Sequence, residues 1–413
     1  MSEIDFNWSS QSHDGSFRAK PGSGPRLRSL IIAVLSTGLF LSVATPAIGQ
    51  HYRQTNLVSD VPGLAPTTDP NLVNPWGLTS SSTSPWWVAD NGTGVSTLYN
   101  GAGQKLALTV TIPPAAPPST PTGVVFNGNS SEFGASRFIF VTEDGTIAGW
   151  TAGPTAVIKF TSPTKAVYKG ATIAKANGTD FLYVANFYNG TVDVFDTNFA
   201  PTFVPPGAFT DPTIPSGFAP FNVQELNGNL FVAFAMQNEE KEDEVAGRGL
   251  GYADIFDPNG TLLLRLRPGK WMDAPWGVAL APDGFGKLSG RLLVGMFGSG
   301  EIATFDLDHG NYHGMMMGVH GQKLQIDGLW AIRFGNDQNA GPSTTLFFTA
   351  GIQDEAHGLF GTITPLEPGE ESDGAGHEML GNQNRVQRSG ESEDKVSPSR
   401  GGALRLVLKP KDY

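Results

Sequence analysis

The segment LYVANFYNGTVDVFD (residues 182–196) carries the pattern that decides the fold. Residues 182–185 form a short, continuously apolar run, which is typical of a strand buried on both faces. Residues 191–196 alternate apolar and polar side chains, as a half-exposed strand does. A short loop that ends at Gly190 joins the two runs. The segment therefore predicts two neighbouring antiparallel strands.

The glycine that begins the second of these strands belongs to a repeat. In six places a glycine is followed five residues later by a bulky β-prone residue: Gly94/Tyr99, Gly145/Trp150, Gly190/Phe195, Gly251/Phe256, Gly300/Phe305 and Gly358/Ile363. A unit of roughly 40 to 60 residues built from short strands cannot bury its faces alone, so each unit packs against its neighbours. We predict an all-β fold, a six-bladed β-propeller of four-stranded antiparallel blades, over residues 50–365.

Each predicted unit opens near a proline or glycine with an apolar strand, which we place innermost in its blade. The residues at these openings are Trp76, Thr122, Ala171, Phe221, Trp276 and Leu329. The sixth unit lacks a fourth strand of its own, because Pro365 and a polar stretch follow its third strand. We favour residues 55–59, ahead of the first blade, as the strand that closes the ring. Residues 403–408 are the alternative.

The two ends of the chain differ from this repeat. Residues 1–49 run from basic to apolar to small side chains, which predicts a secretory signal peptide with an extended n-region. We therefore expect a secreted, periplasmic or cell-surface protein, and a membrane association only if this segment stays uncleaved. Residues 366–413 are rich in Gly, Ser, Glu and Arg with few large apolar side chains, which predicts a disordered tail.

Composition excludes several kinds of chemistry and partner. The formal net charge is −12, and no basic run interleaved with aromatic residues is present, so we expect no nucleic-acid partner. Cysteine is absent, which excludes disulfides, thiolate nucleophiles and cysteine-based metal sites. We expect a monomer.

The segment 182–196 resembles the NHL repeat and its relatives, in which an apolar strand ends in an Ala-Asp or Ala-Asn step and a V-x-V-F-D strand follows. The openings Asn-Pro-Trp-Gly and Ala-Pro-Trp-Gly (residues 74–77 and 274–277) extend the likeness. Over residues 52–365 the chain resembles an uncharacterised family of exported bacterial propeller proteins, which implies the fold and no particular activity. It also resembles the gluconolactonase and senescence-marker group in blade number. That group holds a divalent metal with a Glu near the start of a first-blade strand, and no Glu stands at the openings here, which counts against a lactonase.

Propeller topology predicts where polar side chains converge. In a four-stranded antiparallel blade the loop before strand one and the loop between strands two and three emerge on the same face. We expect seven ligand-binding residues there: Asn74, Asp90, Glu143, Asn186, Asn222, Gln237 and Asp327. Of these, Asp90, Glu143, Asn186 and Asn222 are the metal candidates, because carboxylate and amide oxygens suit Ca²⁺. The alternative is that they satisfy turn backbones.

Two further features lie on that face. Blade four carries an acidic insertion at residues 238–244, which is either a lid or partner-binding arm or a solvated loop. His357 follows Asp354 and Glu355 and is the candidate for general acid–base work. We predict a scaffold that binds a protein, glycan or small ligand on this face rather than an enzyme. The alternative is a divalent-metal-dependent hydrolase or lactonase with its site in the central channel.

Overall fold

The structure, a computed structural model, describes residues 50–367. In chain order its strands are β1 (Tyr52–Ser59), β2 (Thr67–Thr68), β3 (Pro75–Thr79), β4 (Trp86–Asp90), β5 (Val95–Tyr99), β6 (Lys105–Thr111), β7 (Pro121–Phe126), β8 (Phe138–Thr142), β9 (Thr146–Trp150), β10 (Val157–Thr161), β11 (Tyr168–Ala176), β12 (Thr179–Asn186), β13 (Thr191–Phe195), β14 (Phe218–Leu226), β15 (Asn229–Gln237), β16 (Glu244–Val245), β17 (Gly251–Phe256), β18 (Leu262–Arg265), β19 (Pro275–Leu280), β20 (Leu292–Met296), β21 (Ile302–Phe305), β22 (Tyr312–Met315), β23 (Leu329–Phe334), β24 (Leu346–Ala350) and β25 (Leu359–Pro365). Two short 3₁₀ turns, Phe133–Ala135 and Gly286–Leu288, stand between strands. Within residues 50–367 no helix is long and apolar enough to cross a membrane.

These strands form six sheets, one for each blade, which confirms the predicted six-bladed propeller; the blades are antiparallel, and the short β2 adds a parallel pair to β1. The first blade is β3–β6, the second is β7–β10 and the fifth is β19–β22. The fourth is β14, β15, β17 and β18, with β16 paired to β15. In the third blade β11–β13 are followed by a reduced fourth strand, in which Phe195 bridges Pro201 and the Thr202 N–H donates to the Val194 carbonyl at 2.8 Å.

The sixth blade closes the ring with the N-terminal strand. It consists of β23, β24 and β25, and β1 pairs antiparallel with β25 so that Thr55 lies opposite Thr362. The Ser59 hydroxyl, which is buried at the end of β1, donates to the Gly358 carbonyl at 2.7 Å. The favoured closing segment is therefore confirmed. The alternative segment 403–408, the predicted signal segment 1–49 and residues 368–413 of the predicted tail lie outside the described residues.

The inner strands pack against one another so closely that glycine is required between them. A Cβ on Gly77 would lie 2.5 Å from the Thr122 carbonyl oxygen, and a Cβ on Gly277 would lie 2.4 Å from the Trp330 carbonyl oxygen. A cavity between the inner strands measures only about 10 Å³, which is room for about one water molecule. The inner strands thus leave little space around this cavity.

Every inner strand carries a one-residue bulge where it begins, and this corrects two of the predicted opening positions. In β11 the register shifts between Tyr168 and Ala171, and in β23 it shifts between Leu329 and Ile332. The equivalent bulged residues around the ring are Trp76, Thr122, Lys169, Phe221, Trp276 and Trp330. Lys169 and Trp330 therefore occupy the positions that we predicted for Ala171 and Leu329.

Candidate functional site: the channel mouth

The channel mouth is the end of the channel where the inner strands begin and the second strands end. Its floor is a cluster of aromatic rings: Trp76, Phe187, Phe221, Trp276, Phe297 and Trp330. Trp76 stacks on Trp330 with 3.5 Å between ring centroids, and Phe297 stacks on Trp330 at 4.0 Å. Trp276 meets Trp76 edge-on at 6.2 Å. The rings close the channel at this end, so that the mouth is a surface and not an opening.

A single lysine rests on this floor. The Lys169 side chain, which the bulge in β11 directs to the mouth, is fully buried, and its Nζ lies 4.8 Å from the centroid of the Trp76 ring. The same Nζ donates to Glu143 Oε1 at 2.6 Å. Burial alone would lower the pKa of this ammonium, but the carboxylates of Glu143 and Glu244 outweigh burial and raise the pKa above its ordinary value. The neighbouring carboxylates therefore favour the charged form of Lys169 at the centre of the mouth.

Carboxylates from three blades surround that cation. Glu143 follows β8, Asp243 and Glu244 belong to the blade-four insertion, and Glu355 follows β24. Asp243 Oδ1 lies 3.7 Å from the Lys169 Nζ. Burial raises the pKa of Glu244 to about 7, against the opposing effect of Lys169. Burial also raises the pKa of Glu355, while Asn74 and Lys169 oppose the shift.

Amide side chains link these carboxylates into a hydrogen-bonded chain. Asn74 donates from Nδ2 to Glu355 Oε2 at 2.5 Å and accepts the Trp330 indole N–H at 3.0 Å. Asn91 donates to Glu143 Oε2 at 3.0 Å. The chain fixes the carboxylates to the aromatic floor, so the polar layer of the mouth is preorganised.

The turn that presents Glu355 is strained. Gln353, Asp354 and Glu355 have φ values of 58°, 53° and 63°, so three consecutive non-glycine residues adopt the left-handed conformation. Each such residue costs about 1–2 kcal/mol relative to the right-handed form. The backbone N–H of Gln353 donates to Asp327 Oδ2 at 2.7 Å, which helps to hold the turn. Strain of this kind concentrates at functional positions.

The acidic insertion of blade four docks on the mouth. Its end, β16, pairs with β15 so that Glu244 lies opposite Gln237. Its Glu242 forms an ion pair with Lys165 at 2.5 Å. The Asn238 side chain accepts the Glu242 N–H at 3.0 Å. The insertion is thus a folded element at the mouth, and its role as a lid or partner-binding arm stays a prediction.

The structure brings together only some of the predicted ligand-binding residues. Asn74 and Glu143 belong to the network around Lys169, and Gln237 donates to the Phe187 carbonyl at 2.5 Å at the edge of the floor. Asn222 lines the channel below the mouth and donates to the Trp276 carbonyl at 2.7 Å. Asp327 is exposed at the strained turn.

Asp90 and Asn186 turn into their own blades. Asp90 Oδ2 accepts the Thr97 hydroxyl at 2.8 Å, and burial raises the pKa of Asp90 while Thr97 opposes the shift. Asn186 donates to Asp193 Oδ2 at 2.9 Å. The four predicted Ca²⁺ ligands therefore have four separate sets of partners. Within residues 50–367 no group of three or more His, Cys, Asp and Glu side chains is arranged to hold a metal, and the Ca²⁺ site stays a prediction.

His357 lies at the rim of the mouth with a partner that we did not predict. Its Nδ1 lies 2.6 Å from Asp60 Oδ2, and Asp60 Oδ1 accepts the Gly358 N–H at 2.8 Å. The preceding acidic residue Glu355 instead bonds to Asn74. The carboxylate partner thus comes from the chain just after β1, because ring closure brings that segment beside the turn.

Lys169 is the residue of the mouth that sequence reasoning missed. The sequence does mark this position, because a glycine directly follows the bulged residue in several blades. Lys169-Gly170 corresponds in this way to Trp76-Gly77, Thr122-Gly123 and Trp276-Gly277. Alignment of the openings on this dipeptide would have placed the lysine at the mouth.

The fold and the site define a six-bladed β-propeller with a charged mouth over a closed aromatic floor. The chain belongs to the family of "Uncharacterized protein R648" of Acanthamoeba polyphaga mimivirus, with 30% identity over 326 residues, which cover 74% of this chain and 78% of that protein. "Uncharacterized protein L690" of the same virus is 29% identical over 331 residues, or 76% of this chain and 85% of that protein. No protein-family profile matches.

Solved structures of other proteins match the chain at low similarity. A streptogramin B lyase superposes with a TM-score of 0.43 and 14% identity, over 77% of this chain and 98% of that one. The soluble aldose sugar dehydrogenase of Escherichia coli gives 0.47 and 14%, over 76% and 100%. At this level of similarity nothing follows about the activity of this chain. The likeness to NHL repeats and to exported bacterial propellers stays a prediction.

Proposed function

We propose that the protein is a non-catalytic scaffold that binds a cationic partner, such as a lysine- or arginine-bearing protein segment, on the channel mouth. The observation that carries this proposal is the layered mouth: a closed aromatic floor, one buried lysine and an excess of carboxylates above it. Because the rings close the channel and little space lies beneath them, a partner engages the surface of the mouth.

The charge of that surface selects the partner. The insertion exposes Glu239, Glu240 and Asp243, and the strained turn exposes Asp354. Three lysines lie among them: Lys169 is paired with Glu143, Lys165 is paired with Glu242, and Lys241 is exposed on the insertion, so that carboxylates remain in excess. A surface with one sign of charge steers partners of the opposite sign and sets how fast they associate. The charge of the mouth therefore favours binding of a basic partner over binding of a neutral glycan.

A fluorescently labelled lysine-rich peptide tests the proposal. Glu239→Gln with Glu240→Gln removes two exposed carboxylates that have no hydrogen-bond partner among the described residues. The matched control, Asp283→Asn with Asp308→Asn, removes the same charge from exposed loops on the opposite face. We expect the mouth variant to weaken peptide binding several-fold in low salt, measured by fluorescence anisotropy, and the control to bind as the unaltered protein does. About 0.3 M salt should remove most of the difference.

Equal binding by the two variants would show that the mouth does not select the peptide. The predicted hydrolase or lactonase makes a different prediction, namely that Ca²⁺ or another divalent ion raises the melting temperature of the protein. A shift that Glu143→Gln abolishes would favour that enzyme over the scaffold. Export and the monomeric state stay predictions.

A further inference from the structure

A second pocket lies between the first and second blades, at the end of the propeller opposite the mouth. The loop between β3 and β4 and the loop between β7 and β8 form its walls, and both join a first strand to a second strand. Its volume is about 670 Å³. Pockets for small organic ligands are roughly 300–1,000 Å³. The pocket is thus large enough for a small organic ligand.

Aromatic side chains form the base of this inter-blade pocket. Trp87 stacks on Phe138 with 4.0 Å between ring centroids and lies 4.6 Å from Trp150. Phe126 lies 5.5 Å from Phe138 and is half-buried, so part of its ring remains available. The outer strand β6 adds Leu106 and Leu108, which are also half-buried. This lining suits a flat apolar ring system.

One cation stands at the rim of the pocket. Arg137 is the only charged side chain among the described residues that line it, and the side chain is exposed. Within residues 50–367 its guanidinium has no hydrogen bond and no ion pair. The neighbouring Ser136 hydroxyl is buried and has no hydrogen-bond partner in the described part of the chain. In a chain of net charge −12, an arginine without a carboxylate partner beside an apolar pocket is a recognition element for an anion.

We infer that the inter-blade pocket binds aromatic anions, small molecules with a fused or paired ring system and one carboxylate or sulfonate group. The rings pack on Phe126 and the leucines of β6, and the acid group pairs with Arg137. Charge complementarity selects this class, because the Arg137 guanidinium is the only charged group in the described lining and would repel a cationic aromatic compound. This site is separate from the proposed partner surface and does not depend on it.

Two fluorescent probes of similar shape and different charge test the inference. Anilinonaphthalene sulfonate carries the aromatic rings and an anion, and phenylnaphthylamine carries the rings alone. We expect Arg137→Gln to weaken sulfonate binding about ten-fold or more, because the variant loses one charge-assisted hydrogen bond. Binding of phenylnaphthylamine, which has no acid group, should stay unchanged. The matched control is Arg291→Gln, which removes an arginine on the same end of the propeller in the fifth blade. It should change neither probe.

A pocket-filling variant completes the test. Ala107→Trp, on the exposed edge of β6, should abolish binding of both probes while the melting temperature stays the same. The inference is overturned if Arg137→Gln leaves sulfonate affinity within about two-fold, or if Ala107→Trp leaves both probes bound. The lysine-rich peptide should bind both variants normally, so failure at this site and failure at the channel mouth are distinguishable.

Discussion

Lys169 determines the electrostatics of the channel mouth. It contacts the Trp76 ring on one side and carboxylates on the other, and no solvent reaches it. Lys169→Met would leave Glu143, Glu244 and Glu355 without their central cation. Removal of one partner from a buried ion pair costs about 3–5 kcal/mol, and we expect a loss of that size in the free energy of unfolding, measured by urea titration near neutral pH.

Lys165→Met is the matched control. Its ammonium also pairs with a carboxylate, that of Glu242, but half of the Lys165 side chain is exposed (52%). Such surface pairs contribute about 0–1 kcal/mol. Equal losses in the two variants would contradict the central role of Lys169.

Glu244 makes stability depend on pH. Because burial raises its pKa from 4.5 to about 7 in the folded protein, the folded state binds more protons than the unfolded state between those values. Stability therefore falls as pH rises through that interval, by up to about 3 kcal/mol. We expect Glu244→Gln to flatten this part of the curve of unfolding free energy against pH.

The comparison with Glu240→Gln isolates this effect, because Glu240 is exposed on the same insertion. Burial also raises the pKa of Asp254, to about 8, and that contribution is common to both variants. An unchanged slope in Glu244→Gln would refute the assignment to Glu244.

At the scale of the strand, the inner-strand glycines set the width of the channel. Gly277→Ala places a Cβ 2.4 Å from the Trp330 carbonyl oxygen, which is backbone and can move only if β19 and β23 separate. Such overpacking costs about 1–3 kcal/mol, occasionally more, and we expect a loss at the upper end in thermal or urea unfolding. Gly128→Ala is the control, since the nearest atom to its Cβ would be 3.8 Å away. A control as unstable as Gly277→Ala would show that crowding is not the cause.

Strand patterns predicted the blades well and the site only in part. Apolar runs and the glycine spacing define each hairpin, because burial of a strand leaves a period that can be read directly. The bulge leaves a weaker trace, the x-Gly dipeptide, and periodicity alone does not show the added residue, so that Ala171 is predicted where Lys169 stands. Asp90 shows the same limit of sequence-based prediction. Its carboxylate bonds to Thr97 on the neighbouring strand, and only the pairing register of the two strands determines that contact.

At the scale of the whole molecule, stability depends on the seam between β1 and β25. The chain has no cysteine, so Thr55→Cys with Thr362→Cys introduces a single defined disulfide across this pair. The bond closes a loop that spans all six blades, and long loops give the larger stabilisation, up to about 5 kcal/mol. We expect a higher melting temperature for the oxidised than for the reduced protein.

Each single cysteine variant serves as a control, because it cannot form the bond within one chain. The double variant should also run as a compact species in non-reducing gels. No bond formation under oxidising conditions would mean that β1 does not lie beside β25.

Closure by β1 also fixes when the protein can finish folding. Of the described strands, the one that completes the sixth blade leaves the ribosome first, and its partner β25 leaves last. Until then β1 pairs only with the two-residue strand β2 and the last blade is incomplete, so ring closure follows synthesis of the whole propeller. A chain that terminates before Leu359 has an unpaired strand edge at each end of the open ring. Such edges expose the truncated chain to aggregation or degradation, whereas pairing of β1 with β25 covers them in the closed ring.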